Sequence, residues 1–167
     1  MKINIRILFL SILSIGLLFG LDSQKIFKLS SSNGVSTEII FESPEIELVR
    51  NSEGFSEFNT NDLVGTITKD GFPDLPIYSS LFQMNPGVSY NIEYEVLNSY
   101  YIDNIDFKIN DHYQNSFYPL ENISLSDPLI MRGLVLGQLS FIPYRYSYKD
   151  KRLEVYDAVQ ITISESG

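Results

Sequence analysis

The segment VSYNIEYEV sets Val88, Tyr90, Ile92, Tyr94 and Val96 in alternation with Ser89, Asn91, Glu93 and Glu95. A period of two is the period of an extended strand; it puts the first set on a buried face and the second in water. The pattern recurs in IDFKI, with Ile105, Phe107 and Ile109 inward and Asp106 and Lys108 outward. It recurs again near the C-terminus through Leu153, Val155, Val159, Ile161 and Ile163. Helix signals do not compete with it. Ala158 is the only alanine, and no window shows apolar residues at helical spacing with caps. The chain is expected to be all-β, a two-sheet antiparallel β-sandwich of about eight to ten strands.

Other segments refine that expectation. STEIIFE and EIELVR flank Ser43-Pro44, which reads as a hairpin or a kinked edge. LIMRGLVLGQLSFIP is apolar on both faces, as a central strand should be, and Gly133 and Gly137 inside it suggest a bulge or a close backbone approach. In DGFPDLPIYSSLFQMNPG, Pro73 and Pro76 fix φ and remove two donors, so the chain must enter the strand as an extended lead-in. Asn85-Pro86-Gly87 then reads as a tight turn, pairing Ile77–Met84 with Val88–Val96 as a hairpin. Lys149-Asp150-Lys151-Arg152 reads as a charged, solvated hairpin tip. Residues 110–128, NDHYQNSFYPLENISLSDP, show little strand pattern and two prolines, and a connection of that length is often functional.

The N-terminus has a different logic. Lys2 and Arg6 precede an apolar run from Ile7 to Phe19, followed by Gly20, Asp22 and Ser23. This is the order of a secretory signal peptide, expected over residues 1–22, with one domain over residues 23–167. Beyond residue 20 there remain ten Lys and Arg against 21 Asp and Glu, a net charge of −11. Such a surface repels nucleic acid and anionic lipid and suits a partner with a basic face. The chain has no cysteine, so an exported domain of this size must rely on packing rather than disulfides. A bacterial origin fits that usage.

The residues offer little to catalysis. Without Cys there is no thiol nucleophile, and His112 is the only histidine, beside Asp111 in an expected loop with no nucleophile elbow in the chain. Glu93 and Glu95 share a strand face, the ordinary position for solvated acids and only a weak sign of glycoside chemistry. No metal-ligand spacing is present, and no cofactor is expected. The 11 Tyr and 11 Phe belong mostly to strand packing. Acidic, Tyr-rich strand faces leave open a secreted adhesion or carbohydrate-binding module.

Several elements in order resemble the N-terminal propeptide of gingipain-type cysteine peptidases, a group that includes the type IX secretion sortase. These are Gly71, Pro73, Leu75 and Pro76 before a strand, the Asn85-Pro86-Gly87 turn, Arg132-Gly133 before an apolar strand, and Pro143, Tyr144 and Tyr146 before the last alternating strand. The resemblance covers roughly residues 45–165. It implies a non-catalytic prodomain that assists folding of a following cysteine peptidase and keeps it latent. That peptidase domain, carrying a Cys/His dyad, would be its partner, and the precursor would pass to the periplasm, cell surface or exterior of a Gram-negative bacterium. In gingipain zymogens a basic residue on a loop occupies the substrate pocket. Residues 110–128 contain no Lys or Arg, so His112, Tyr113, Phe117 and Tyr118 become the candidates for an inhibitory loop. Arg132 reads as part of a structural Arg-Gly element.

Overall fold

The computed structural model describes residues 26–59, 65–67, 69, 71–109 and 116–166. The expected signal peptide, with His112 and Tyr113, lies outside them. Among the described residues no helix is long and apolar enough to cross a membrane.

The strands, in chain order, are β1 (Phe27–Ser32), β2 (Ser36–Glu42), β3 (Leu48–Arg50), β4 (Ser56–Phe58), β5 (Gly65–Ile67), β6 (Leu75–Gln83) and β7 (Ser89–Asp103). Then follow β8 (Phe117–Tyr118), β9 (Ile123–Leu125), β10 (Leu129–Met131), β11 (Leu134–Phe141), β12 (Tyr144–Ser147) and β13 (Arg152–Ser166). A six-stranded sheet runs β1-β2-β13-β12-β8, with β7 along the other edge of β13. A five-stranded sheet runs β10-β11-β6-β5, with β9 also paired to β11. β3 and β4 form a separate ribbon. All pairings are antiparallel, the all-β sandwich that the alternation requires.

β13 is the spine. Its expected inward residues Leu153, Val155, Val159, Ile161 and Ile163 are all buried. Each contributes roughly 1.5–3 kcal/mol by leaving water. Opposite them the two sheets meet through aromatic rings: Phe41 of β2 lies 4.9 Å from Phe141 of β11 and 5.5 Å from Tyr78 of β6, centroid to centroid.

Four expectations are corrected. β6 and β7 do not form a hairpin. β6 pairs with β11 and β5 while β7 pairs with β13, so Asn85-Pro86-Gly87 carries the chain from one sheet to the other. The turn itself is present, with Gly87 at φ 75°. The apolar run 129–141 is not one strand but a hairpin, β10 and β11, joined through Arg132 and Gly133 at φ 50° and 82°. Two consecutive positive φ values are what a two-residue hairpin turn requires, so Gly133 serves the turn. Gly137 makes room for side chains rather than for another backbone, since a Cβ there would sit 2.6 Å from Met84 Sδ. IDFKI buries Ile105 and Phe107 as expected but joins no ladder; it is an extended connection held by Ile105 N–H donating to Lys151 O at 2.9 Å. Finally, Ser43-Pro44 is not a hairpin: Ser43 N–H donates to Asp157 O, and the chain leaves the large sheet for the β3-β4 ribbon.

Candidate functional site

The residues of the sequence signature converge on the junction between the sheets. Gly71 takes φ 76° in a turn closed by Phe72 N–H donating to Lys69 O at 2.9 Å. This turn delivers Pro73, Leu75 and Pro76 into the interior. Pro76 pairs with Thr66 at the start of β6, before the ladder with β11 begins at Tyr78, so its missing N–H disturbs no central pairing. Pro143 links β11 to β12, and its carbonyl accepts from Tyr156 N–H at 2.8 Å. Tyr144 and Tyr146 follow, both buried. The Tyr144 and Tyr78 hydroxyls are 3.2 Å apart, and Tyr146 Oη donates to Ile105 O at 2.9 Å. Burial pushes Tyr78, Tyr144 and Tyr146 above the usual phenol range, and Tyr156 up to about 12, so all four are neutral at physiological pH.

The same junction supports the segment expected to act as a loop. Residues 116–128 contain two short strands, β8 on β12 and β9 on β11, so the segment crosses from one sheet to the other. Tyr118 is only 5% exposed and stacks on Phe72, with centroids 4.7 Å apart. This corrects its place among the inhibitory candidates, because a ring so packed belongs to the core. Phe117 is partly exposed, with the Arg145 guanidinium 4.0 Å over its ring. Asn122, which sequence reasoning missed, is buried between the two strands. Its Nδ2 donates to Ile142 O at 2.6 Å and to Tyr144 O at 2.9 Å, while Ile142 N–H donates to its carbonyl. A polar residue between two short strands carries no periodic signal that could have marked it.

Two ends of the sandwich expose charged or apolar side chains. One holds the β12-β13 tip and the connection after β7. There Lys151 pairs with Asp106 at 2.8 Å and Arg152 with Asp103 at 2.7 Å, which makes the basic tip a neutralised, solvated turn. The other end holds the β10-β11 hairpin. Leu129, Ile130, Met131 and Leu134 are exposed there, Ile130 to 79%, around Arg132 at the turn. Among the described residues Arg132 has no hydrogen-bond or ion-pair partner. The described residues hold no group of His, Cys, Asp and Glu arranged for a metal.

The sequence profile of the Propeptide_C25 family matches residues 82–166, just over half of the chain. The chain belongs to this family. No curated protein sequence matches it. Among solved structures it is similar to the complex of Porphyromonas gingivalis RgpB pro- and mature domains, with a TM-score of 0.64 and 21% identity over 85% of this chain and 86% of that one. It is also similar to a structure addressing zymogenic latency of gingipain K from Porphyromonas gingivalis, with a TM-score of 0.65 and 15% identity over 84% of this chain and 92% of that one. At these identities the likeness concerns the fold. The Propeptide_C25 match and the sandwich agree with the resemblance carried by Pro73, Pro76, Arg132-Gly133 and Pro143.

Proposed function

We propose that this Propeptide_C25 domain is the non-catalytic prodomain of a secreted gingipain-like cysteine peptidase, serving it as intramolecular chaperone and latency inhibitor. The family match over residues 82–166 carries the reading. The similar structures support it, one being a complex of pro- and mature domains and the other concerned with zymogenic latency. In this reading residues 1–22 are a signal peptide that sends the precursor out of a Gram-negative cell, and residues 23–167 are the prodomain. A domain that binds the native peptidase and not its unfolded chain stabilises it by mass action, and a covalent tether raises the effective concentration.

The inhibitory contact belongs to the β10-β11 hairpin better than to the segment with His112, Tyr113 and Phe117. The Phe117 ring already carries the Arg145 guanidinium, whereas the hairpin presents an unpaired cation with apolar flanks on a ladder. Such an anchor loses little backbone freedom on entering a cleft, its side chain alone costing about 0.5–1.5 kcal/mol to order. The purified chain, mixed with the peptidase of the same precursor, is expected to suppress its activity and improve its refolding. Absence of both effects overturns the proposal. Arg132→Glu is expected to weaken inhibition about tenfold or more, with Phe117→Ala weaker in effect. The reverse order moves the contact to the other end.

A further inference from the structure

β7 is an edge strand fifteen residues long, and among the described residues β13 is its only partner. Natural edges of that length are protected by Lys, Pro, bulges or a cover, because their unpaired N–H and C=O groups template association. Ser89–Asp103 contains no Lys, Arg, Pro or Gly. Its one irregularity is a register shift against β13 around Leu97. Tyr94 and Val96, expected from their alternation to be buried, are exposed in part, as is Tyr100; on the other face Leu97 is 51% exposed and Tyr101 57%. An edge without a strand partner, approached by β9 of the other sheet, thus coincides with five partly exposed large side chains.

We propose that β7 pairs antiparallel with β7 of a second copy, about a two-fold axis through Leu97, to make one continuous sheet. Charge excludes several registers, and the matching of core-side residues selects the axis at Leu97 over one at Val96. Axes at residue 93 or 95 would set Glu93 or Glu95 against its own copy, and an axis at 94 would set Glu93 against Glu95. Like charges directly opposite are destabilising. With the axis at Leu97, Glu95 faces Ser99 and Glu93 faces Tyr101, uncharged residues whose hydroxyls donate to Glu154 of their own chain, and Asn91 faces Asp103. Among the even-numbered residues Tyr94 meets Tyr100 and Ile92 meets Ile102, aromatic on aromatic and aliphatic on aliphatic, while next to the axis Val96 meets Asn98. The irregularity at Leu97 falls on the axis, and both flanks keep strand pairing. The strand is thus complementary to itself in this register.

The chain has no cysteine, so Leu97→Cys installs a single thiol on the proposed axis. Opposed antiparallel residues place their Cα atoms about 4.5–5.5 Å apart, within disulfide range. Under mild oxidation the chain purified in its exported form should cross-link through Leu97→Cys and not through Ile130→Cys on the exposed hairpin. Sedimentation of the unmodified chain should show a dimer that strengthens with salt, as repulsion between acidic copies is screened. Leu97→Lys with Tyr101→Lys, both at exposed positions, should raise the dissociation constant at least about tenfold with an unchanged circular dichroism spectrum. A monomer up to sub-millimolar concentration overturns the proposal. So does equal cross-linking at both cysteine positions, or a dimer indifferent to the lysines.

Discussion

Asn122 ties the crossing segment to the junction of the sheets, and two substitutions there separate hydrogen bonding from packing. Asn122→Ala removes two donated bonds, 2.6 Å to Ile142 O and 2.9 Å to Tyr144 O, at a position only 6% exposed. Each lost bond that leaves a buried acceptor short costs about 1–2 kcal/mol, so the alanine variant should lose about 2–4 kcal/mol. For a domain of this size that lowers Tm by roughly 10 °C. Asn122→Asp keeps the shape but turns a carboxylate toward two carbonyl oxygens. At neutral pH it should be less stable than the alanine variant by about 1–3 kcal/mol, because a buried anion without donors is penalised beyond the lost bonds. Burial among acceptors holds that carboxyl above its unfolded value. Its neutral form is therefore favoured in the folded state, and relative stability is best at low pH and lost as pH rises through the folded value. Urea unfolding at several pH values, with unchanged m, measures this. An aspartate variant as stable as alanine at neutral pH, or one insensitive to acid, refutes the reasoning.

Further outcomes follow from individual contacts. Gly137→Ala places a Cβ 2.6 Å from Met84 Sδ and 2.9 Å from Phe82 Cε1, and should cost about 1–3 kcal/mol by overpacking; Phe82→Leu should restore part of it in urea melts. Ser80 Oγ is buried with no hydrogen-bond partner among the described residues, so Ser80→Ala should be neutral or stabilise by up to about 1 kcal/mol. The buried tyrosines predict alkaline sensitivity. Tyr156 ionises near 10 when unfolded and near 12 when folded, so its contribution is intact below pH 10 and lost as pH rises toward 12. Unfolding midpoints measured on either side of that window should fall steeply; a flat profile contradicts the burial.

Tyr118 and Arg132 show why the candidate site was only partly legible. Tyr118 lies in a segment without alternation, so nothing local foretold that Phe72, 46 positions earlier, would stack on it. Arg132 precedes a glycine inside an apolar run, and only the consecutive positive φ values show that the run folds back there. Asn-Gly or Asp-Gly would have marked that turn in the sequence; Arg-Gly does not.

The alternation in β13 determined, from sequence alone, that the chain is all-β and which residues fill its core. It did so because a period of two survives any choice of strand partner. The composition settled the acidic surface and the want of a thiol nucleophile in the same way. Which strands pair is a different matter. β6 and β7 look like a hairpin because their turn is local, yet they separate into two sheets because Tyr78 and Tyr144 must meet across the core while β7 lies against the full length of β13. That partition depends on contacts far apart in the chain. It leaves Tyr94 and Val96, which the alternation had assigned to the interior, partly exposed at an edge beside Tyr100.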